Sequence, residues 1–459
     1  MAFWATLALA AVLSANVAMA LPHFTDAHFQ HQLARNQKGG ALCTDDFHCH
    51  LNGNCLSGTC VCSAAWTGES CGVLDLLPAV KGSGFYGLNS SWSSWGNAIR
   101  QDPFSGKWYM AADEMAHQCG LQTWQVDSRC VMTVADNPSG PYERINVILD
   151  QWCHGSSLER DPISGRWIHG HMGDGKGTDK GGCPDCTSTP GITPNSSKMV
   201  SCKADQCGVV PQAERCDSCA LIASTPLGPW SRVPSLDFGL GPNCEAFFMR
   251  NGTLFLQCET DDTNVTKYGA RCKGSRGGLL VVSRAESLDN ALKGIWSYKN
   301  QWPEMLFIDP NAGDHTCVNW EDNNLWVDSN DNFHSLAHGY EGKPTDYPLP
   351  GCNGTDNPYW PECNAHAGHA YSSDGRRWYY SPIAPMTGNV VFTDGDTLAF
   401  RARERPHLIF NEASGEPTHL CNGVGNPGPG QNVGVVGRDH TFVQCVELNT
   451  RSPQLEVVV

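Results

Sequence analysis

From residue 83 onward the chain repeats one pattern of apolar and polar positions. Two short apolar runs flank a tight polar turn, and a third run ends in a polar turn before Trp or Tyr. The copies are NAIRQDPFSGKWYMAADEM with CVMTVADNPSGPYERI, and SSLERDPISGRWIHGHM with ALIASTPLGPWSRV. They continue as AFFMRNGTLFLQCE with LLVVSRAESLDNALKGIWSY, TCVNWEDNNLWVDSND with AHAYSSDGRRWYYS, and HLIFNEASGEPTHLCNGV with HTFVQCVEL. Short apolar runs bounded by Gly, Pro, Asp and Asn predict β-strands. DPFSGKW and DPISGRW are nearly one turn, in which Asp-Pro followed by Gly favours a sharp reversal. Five such sets predict an all-β, five-bladed β-propeller over 83–459, each blade covering its neighbour's open face. The fifth copy ends with one strong outer strand, so GFYGLN at 84–89 is expected to complete it and close the ring. A β-sandwich with insertions is the competing arrangement.

Composition agrees with a loop-rich β protein: 459 residues carry 48 Gly, 28 Pro and 15 Trp, with 17% charged. The net charge of −16 has no basic cluster, which argues against a nucleic-acid partner. Residues 1–20, MAFWATLALAAVLSANVAMA, form an apolar stretch with small residues before a cleavage point after Ala20, the pattern of a signal peptide. Residues 21–39 form a polar leader. No later segment has the ~18 apolar residues that a spanning helix needs. Twenty-three cysteines behind a signal peptide predict disulfides and an extracellular location. Asn89, Asn195, Asn251, Asn264 and Asn353 stand in glycosylation sequons.

Residues 40–72 hold Cys43, Cys49, Cys55, Cys60, Cys62 and Cys71. So short a segment needs disulfides in place of a core, and six cysteines leave every pairing open. Its end, Cys60-x-Cys62 followed by Gly68 and Cys71, resembles the epidermal-growth-factor-like module. That resemblance implies the pairs 43–55, 49–60 and 62–71. Because GGAL precedes Cys43, no calcium is expected, and the module reads as a spacer. Cys183, Cys186, Cys202, Cys207, Cys216 and Cys219 read as disulfides rather than a zinc site, in an insertion (172–219) of the second blade. Hairpin geometry predicts the pairs 258–272, 352–363 and 421–445. SSDGRRW, at 372–378, resembles the Asp-box turn of other propellers and reads as structural.

TVADNPSGPYERI and ASTPLGPWSRV resemble the arabinanase, levansucrase and invertase superfamily, and RERPHLIFNEASGEPTHLCNGV resembles the last blade of secreted eukaryotic proteins that place an epidermal-growth-factor-like module before such a propeller. The resemblance implies that the first strand of each blade lines a central funnel, where two carboxyl groups could meet for glycoside hydrolysis. Registering Phe247 with Ile99, Leu158, Val318 and Leu408 puts Trp95, His154, Asn243, Asp314 and Glu404 on the rim. NCEAFF resembles the invertase phrase Glu-Cys-Pro-Asp-Phe-Phe, but Asn243 stands where that phrase has its acid, and Glu245 lies two residues further in. Asp314 and Glu404 are therefore the expected catalytic carboxylates. His154, Asn243, Glu245, Trp95, His315, Arg403 and Arg405 are the expected substrate-contacting neighbours. No cofactor motif is present, and a channel cation is left open. The expected partner is an extracellular glycan or a cell-surface protein. The alternative function is non-catalytic carbohydrate or protein binding, which Asn243 favours because an amide cannot act as a general acid.

Overall fold

The computed structural model describes residues 38–88, 90, 92–116, 120–121, 124–150, 152–173, 175, 219–236, 243–260, 279–301, 304–307, 320–339, 367–381, 383–427 and 440–450. It is a five-bladed propeller of antiparallel blades. Blade 1 runs outward through Ser94–Gln101, Trp108–Met115, Ser128–Ala135 and Glu143–Leu149, and blade 2 through His154–Arg160, Trp167–Met172, Cys219–Ala223 and Ser231–Arg232. Blade 3 uses Glu245–Phe248, Leu254–Thr260, Leu279–Ala285 and Tyr298–Gln301. Blade 4 uses Trp320–Val327, Phe333–Gly339, Ala367–Ser372 and Arg377–Tyr380, with Glu304–Phe307 added in parallel at its edge. In blade 5 the long strand Thr397–Phe410 pairs first with Asn389–Val391 and then with Pro417–Pro427, which pairs with Thr441–Glu447.

The ring closes as the repeat count requires. Phe85 exchanges backbone hydrogen bonds with Val443, and Leu76 bridges Leu448, so the segment before blade 1 forms the outer edge of blade 5. The repeated turns have one local cause. In DPFSG the Asp102 carboxylate accepts from the Ser105 N–H and hydroxyl. In DPISG Asp161 accepts from Ile163 N–H and the Ser164 hydroxyl, and Asn411 accepts from Ala413 and Ser414 N–H in the matching turn of blade 5. Such side-chain caps compete with strand extension and fix the reversal. Their exposed apolar residues reach the next blade: Arg160 lies 5.5 Å over the Phe104 ring, and Ile163 packs on Gly252. In SSDGRRW, Asp374 accepts from Arg376 and Arg377 N–H at 2.8 Å each, and Trp378 is 2% exposed, a structural turn.

The disulfides of the small module are 43–55, 49–60 and 62–71, the pairs that its resemblance implied. The module does not stand clear of the propeller. The module shares one buried cluster with blades 4 and 5, containing Trp66, Cys49, Cys71, Trp326, Leu336 and Val424. Trp66 lies 5.2 Å from the His369 ring, and Tyr371 hydroxyl donates to the Phe47 carbonyl at 3.2 Å. A module of this size has little interior of its own, so it buries its apolar residues on the propeller.

Cys421–Cys445 joins facing strands as expected. The 258–272 pairing is corrected: Cys258 bonds Cys244, which stands one residue before Glu245, the register partner of Gln257. Cys130–Cys153 ties blade 1 to blade 2. Cys219 is disulfide-bonded, against a zinc role for that thiol. The 352–363 pair, the remaining insertion cysteines, residues 1–37 and Asn89, Asn195, Asn264 and Asn353 lie outside the described residues. Asn251 is exposed on the first turn of blade 3. Among the described residues no helix is long and apolar enough to cross a membrane.

Candidate functional site

The inner strands share a device that apolar patterning does not reveal. In blades 1, 2, 4 and 5 the ladder skips so that two inner residues face one: Gly96-Asn97, Gly155-Ser156, Asp322-Asn323 and Arg405-Pro406. The first residue of each bulge is left-handed, with φ of 62°, 70°, 57° and 49°. Asn243, at φ 57°, is its counterpart before blade 3. A bulge re-aims the strand end, and the four bulges and Asn243 converge on the axis.

Aligning on the bulge corrects the register. Ile99, Leu158, Ala246, Leu325 and Leu408 are equivalent, rather than Phe247 and Val318 in the third and fourth places. Asn243 thus belongs to the axial ring, one step inside the rim. In blade 4 the equivalent of Glu404 is Glu321, not Asp314; Asp314 and His315 lie outside the described residues. A usable signal was present. The turn-capping Asp or Asn lies three residues beyond the anchor in four blades: Asp102, Asp161, Asp328 and Asn411. Asp328 accepts from Asn330 and Asn332 N–H, the same kind of cap.

Two carboxyl groups meet at the mouth. Glu404 Oε2 and Glu321 Oε2 each lie 3.6 Å from His338 Nε2, so they are no more than twice that distance apart. His338 comes from HSLAHG on the second strand of blade 4, and its Nδ1 lies 3.1 Å from Asp322. Burial works against the His338 cation, but Glu404, Asp322 and Glu321 outweigh it and raise its pKa to about 9. Burial raises Glu404 to about 7, against the pull of His338. Burial, then the like charge of Asp322, raises Glu321 to about 8. Asp322 is also buried, but Arg405 overrides that effect and holds its pKa down. The Glu321 side chain is 29% exposed and that of Glu404 11%, so both reach the opening.

Ligand atoms of Glu321, Asp322 and His338 lie within 4.8 Å of one another, a spacing compact enough for a cation. The proton on His338 competes for the same lone pair, and Arg405 already compensates Asp322. The set as it stands accommodates a protonated imidazole.

Below the mouth the axis is filled. Arg405 Nη2 donates to Asn243 Oδ1 and lies 2.7 Å from Asp322 Oδ1. The cavity left beside it, lined by Asn97, Ser157, Asn243, Glu245, Arg405 and His407 among others, is about 30 Å³. That is room for about one or two waters.

Glu245 lines this cavity and works as a clasp. Its Oε1 accepts from Asn324 Nδ2 at 2.8 Å and lies 3.3 Å from His407 Nδ1. His407 Nε2 accepts from Ile99 N–H at 3.0 Å and from Arg100 Nη1 at 2.9 Å, so its proton sits on Nδ1, facing Glu245. Arg100 is bound in turn by both oxygens of Glu159. One network thus joins blades 1, 2, 3, 4 and 5.

His154 faces the axis from blade 2. Burial depresses it to about 4, although Asp113 lies 3.4 Å away. Asp113 accepts from Gly155 N–H, Ser156 N–H and the Ser156 hydroxyl, at 2.8, 3.1 and 2.6 Å. Trp124 lies 4.9 Å from the His154 ring. Two of the expected substrate contacts are buried among protein groups. Trp95 is 3% exposed and packs with Met115, Leu121 and Ala402, filling core. Arg403 is 1% exposed and donates to Asn422 Oδ1 and to the Thr387 carbonyl, within blade 5 and its adjoining hairpin. Along an extended strand neighbouring side chains alternate in direction, which explains why Arg403 points away from Glu404.

No protein-family profile and no curated protein matches the chain. Solved structures do resemble it. A thermostable family-43 glycoside hydrolase shares 11% identity at TM-score 0.45, covering 79% of this chain and 95% of that one. A family 117 glycoside hydrolase from Zobellia galactanivorans shares 9% at TM-score 0.41, over 81% and 89%. An endo-arabinase from Bacteroides thetaiotaomicron shares 10% at TM-score 0.40, over 80% and 96%. These are likenesses of fold.

Proposed function

We propose that the protein is a secreted, glycan-directed propeller that hydrolyses glycosidic bonds at the mouth of the ring, with Glu404 and Glu321 as its carboxyl pair. The observation that carries this reading is the placement of both carboxyls around His338 at the opening. Hydrolysis needs one carboxyl to protonate the leaving oxygen and another to take a proton from water or to attack the anomeric carbon. Glu321, the more exposed and the more strongly held in its protonated form, is the acid. Glu404 is the base or nucleophile. The distance bound admits both the ~5–5.5 Å separation of retaining enzymes and the ~6.5–9.5 Å of inverting ones. Secretion is supported by the disulfides and by the apolar N-terminal stretch.

The test is hydrolysis of a panel of polysaccharides by wild type, Glu404→Gln, Glu321→Gln and Asp314→Asn. Removing either member of the pair should lower kcat by about 10²–10⁴-fold. Because two pKa values of about 7 and 8 flank the active form, the rate should peak near neutral pH. Full activity in both glutamine variants overturns the pair, and full loss in Asp314→Asn alone returns the role to that residue. A second reading, binding without hydrolysis, is favoured by Arg405 filling the axis. Glycan retention with no released sugar would establish it.

A further inference from the structure

Outside the mouth, blade 1 carries a cationic group that the proposed reaction does not use. Glu114 is fully buried and accepts on one oxygen from Arg129 Nε at 2.7 Å and from Arg144 Nη1 at 2.7 Å. Arg129 Nη2 reaches the same oxygen, and the Tyr86 hydroxyl donates to the other. Burial, and then the hydrogen bond to Glu114, keep that phenol protonated. Both guanidiniums lie over Trp92, at 5.9 and 5.8 Å from its ring, and Tyr86 stacks 6.4 Å from the same ring. One carboxylate therefore serves two guanidiniums, and one positive charge is left over in a chain of net charge −16.

Two like charges converge here because the carboxylate and the indole hold them. Arg129 Nη1 and Arg144 Nε and Nη2 make no hydrogen bond among the described residues. Arg144 keeps 38% of its side chain exposed, and Arg129 18%. Paired guanidiniums with spare N–H groups match the oxygens of a carboxylate or a sulfate. The carboxylate that gathers them, with Arg129 opposite it, stands at the mouth end of the blade, and Arg144 reaches it from the outer strand, where it pairs with Thr133. Glu114 pairs with Ser94, beside Trp95, and follows Asp113, whose carboxylate takes the Gly155 N–H at the axis.

We infer that Arg129 and Arg144 form an anion-binding subsite that recognises a negatively charged substituent, carboxylate or sulfate ester, on the glycan lying across the mouth. This rests on the glycan-directed reading above and adds a substrate class to it.

The test is affinity electrophoresis of the full chain in gels containing a sulfated galactan, a polyuronate or an uncharged galactan, at low and high salt. Retention should be confined to the charged polymers and should fall with salt. The arm that retains the protein identifies the anion. Arg144→Ala, which leaves Glu114 paired with Arg129, should weaken retention about tenfold, with Arg144→Lys in between. A thermal melt matching wild type shows that the variant is folded. Equal retention by the uncharged galactan, no retention by any polymer, or wild-type retention of Arg144→Ala overturns the inference. Charge-dependent retention without hydrolysis would leave the subsite standing while the carboxyl pair fails; hydrolysis without charge preference would do the reverse.

Discussion

The two sides of the axial ring share one backbone and differ in what they place on it. Blades 1 and 2 put Gly96 and Gly155 at the left-handed bulge position; blades 4 and 5 put Asp322 and Arg405 there. A left-handed conformation costs an L-residue roughly 1–2 kcal/mol, and glycine avoids that cost. The glycines also leave space. A Cβ on Gly96 would stand 3.1 Å from Arg405 Cδ, and one on Gly155 3.0 Å from Asn243 Oδ1 and 3.6 Å from Arg405 Nη2. One side of the ring is empty so that the other can fill the axis with a bound charge pair. Strain in blades 4 and 5 is thus tied to the side that carries Glu321, Glu404 and His338, in line with the tendency of strained backbone to gather at functional sites.

The comparison breaks most decisively at Arg405. Arg405→Met leaves Asp322, buried at 6% exposure, with the His338 imidazolium as its remaining cation, and should cost up to about 3–5 kcal/mol in denaturant unfolding. Adding Asp322→Asn should recover much of that loss. A single variant as stable as wild type would mean that the axial pair does not hold the ring. Next comes the empty side. Gly155→Ala combines the left-handed cost with a Cβ 2.9 Å from Met172 Cε, and should destabilise by at least ~1–2 kcal/mol. Alanine tolerated there would show that the two sides are interchangeable.

The smallest effect sharpens the contrast by pH. His154 on the empty side is pushed down to about 4, and His338 on the charged side is raised to about 9. With an unfolded value near 6.5, His154 contributes stability that is present above 6.5 and lost as pH falls through about 4. His338 contributes stability that is present below 6.5 and lost as pH rises through about 9. Imidazole NMR titrations should separate the two rings, and coincident titration near 6.5 would erase the distinction.

Much of the scaffold was legible because it is local. Asp-Pro-x-Ser-Gly turns fold from contacts within four or five residues, and Asp102 and Asp161 make the contacts their sequence predicts. The small module's pairing was open from its cysteine count and came only from its resemblance to the epidermal-growth-factor-like module. Glu404 at the mouth was also legible, since it lies a fixed step from the apolar run of its strand. Glu321 was hidden because VNWEDNNLWV offers two apolar anchors, and only the turn at Asp328 tells them apart. The burial of Trp95 and Arg403 was not legible, because strand position alone does not show which way a residue beside a bulge points.

The sequence by itself determined the strand repeat, the turns, the ring count and the closing segment, all of which follow from short-range pattern and the need to cover each blade's apolar face. Tertiary structure alone decided which carboxyls meet. Glu321 and Glu404 are far apart in the chain and share His338 only because bulged strand ends converge on one axis. It also decided that Glu245, two residues beyond the place where the invertase phrase has its acid, is a clasp, since its partners Asn324 and His407 come from other blades. Charges acquire roles from their neighbours, and here those neighbours are supplied by the closing of the ring.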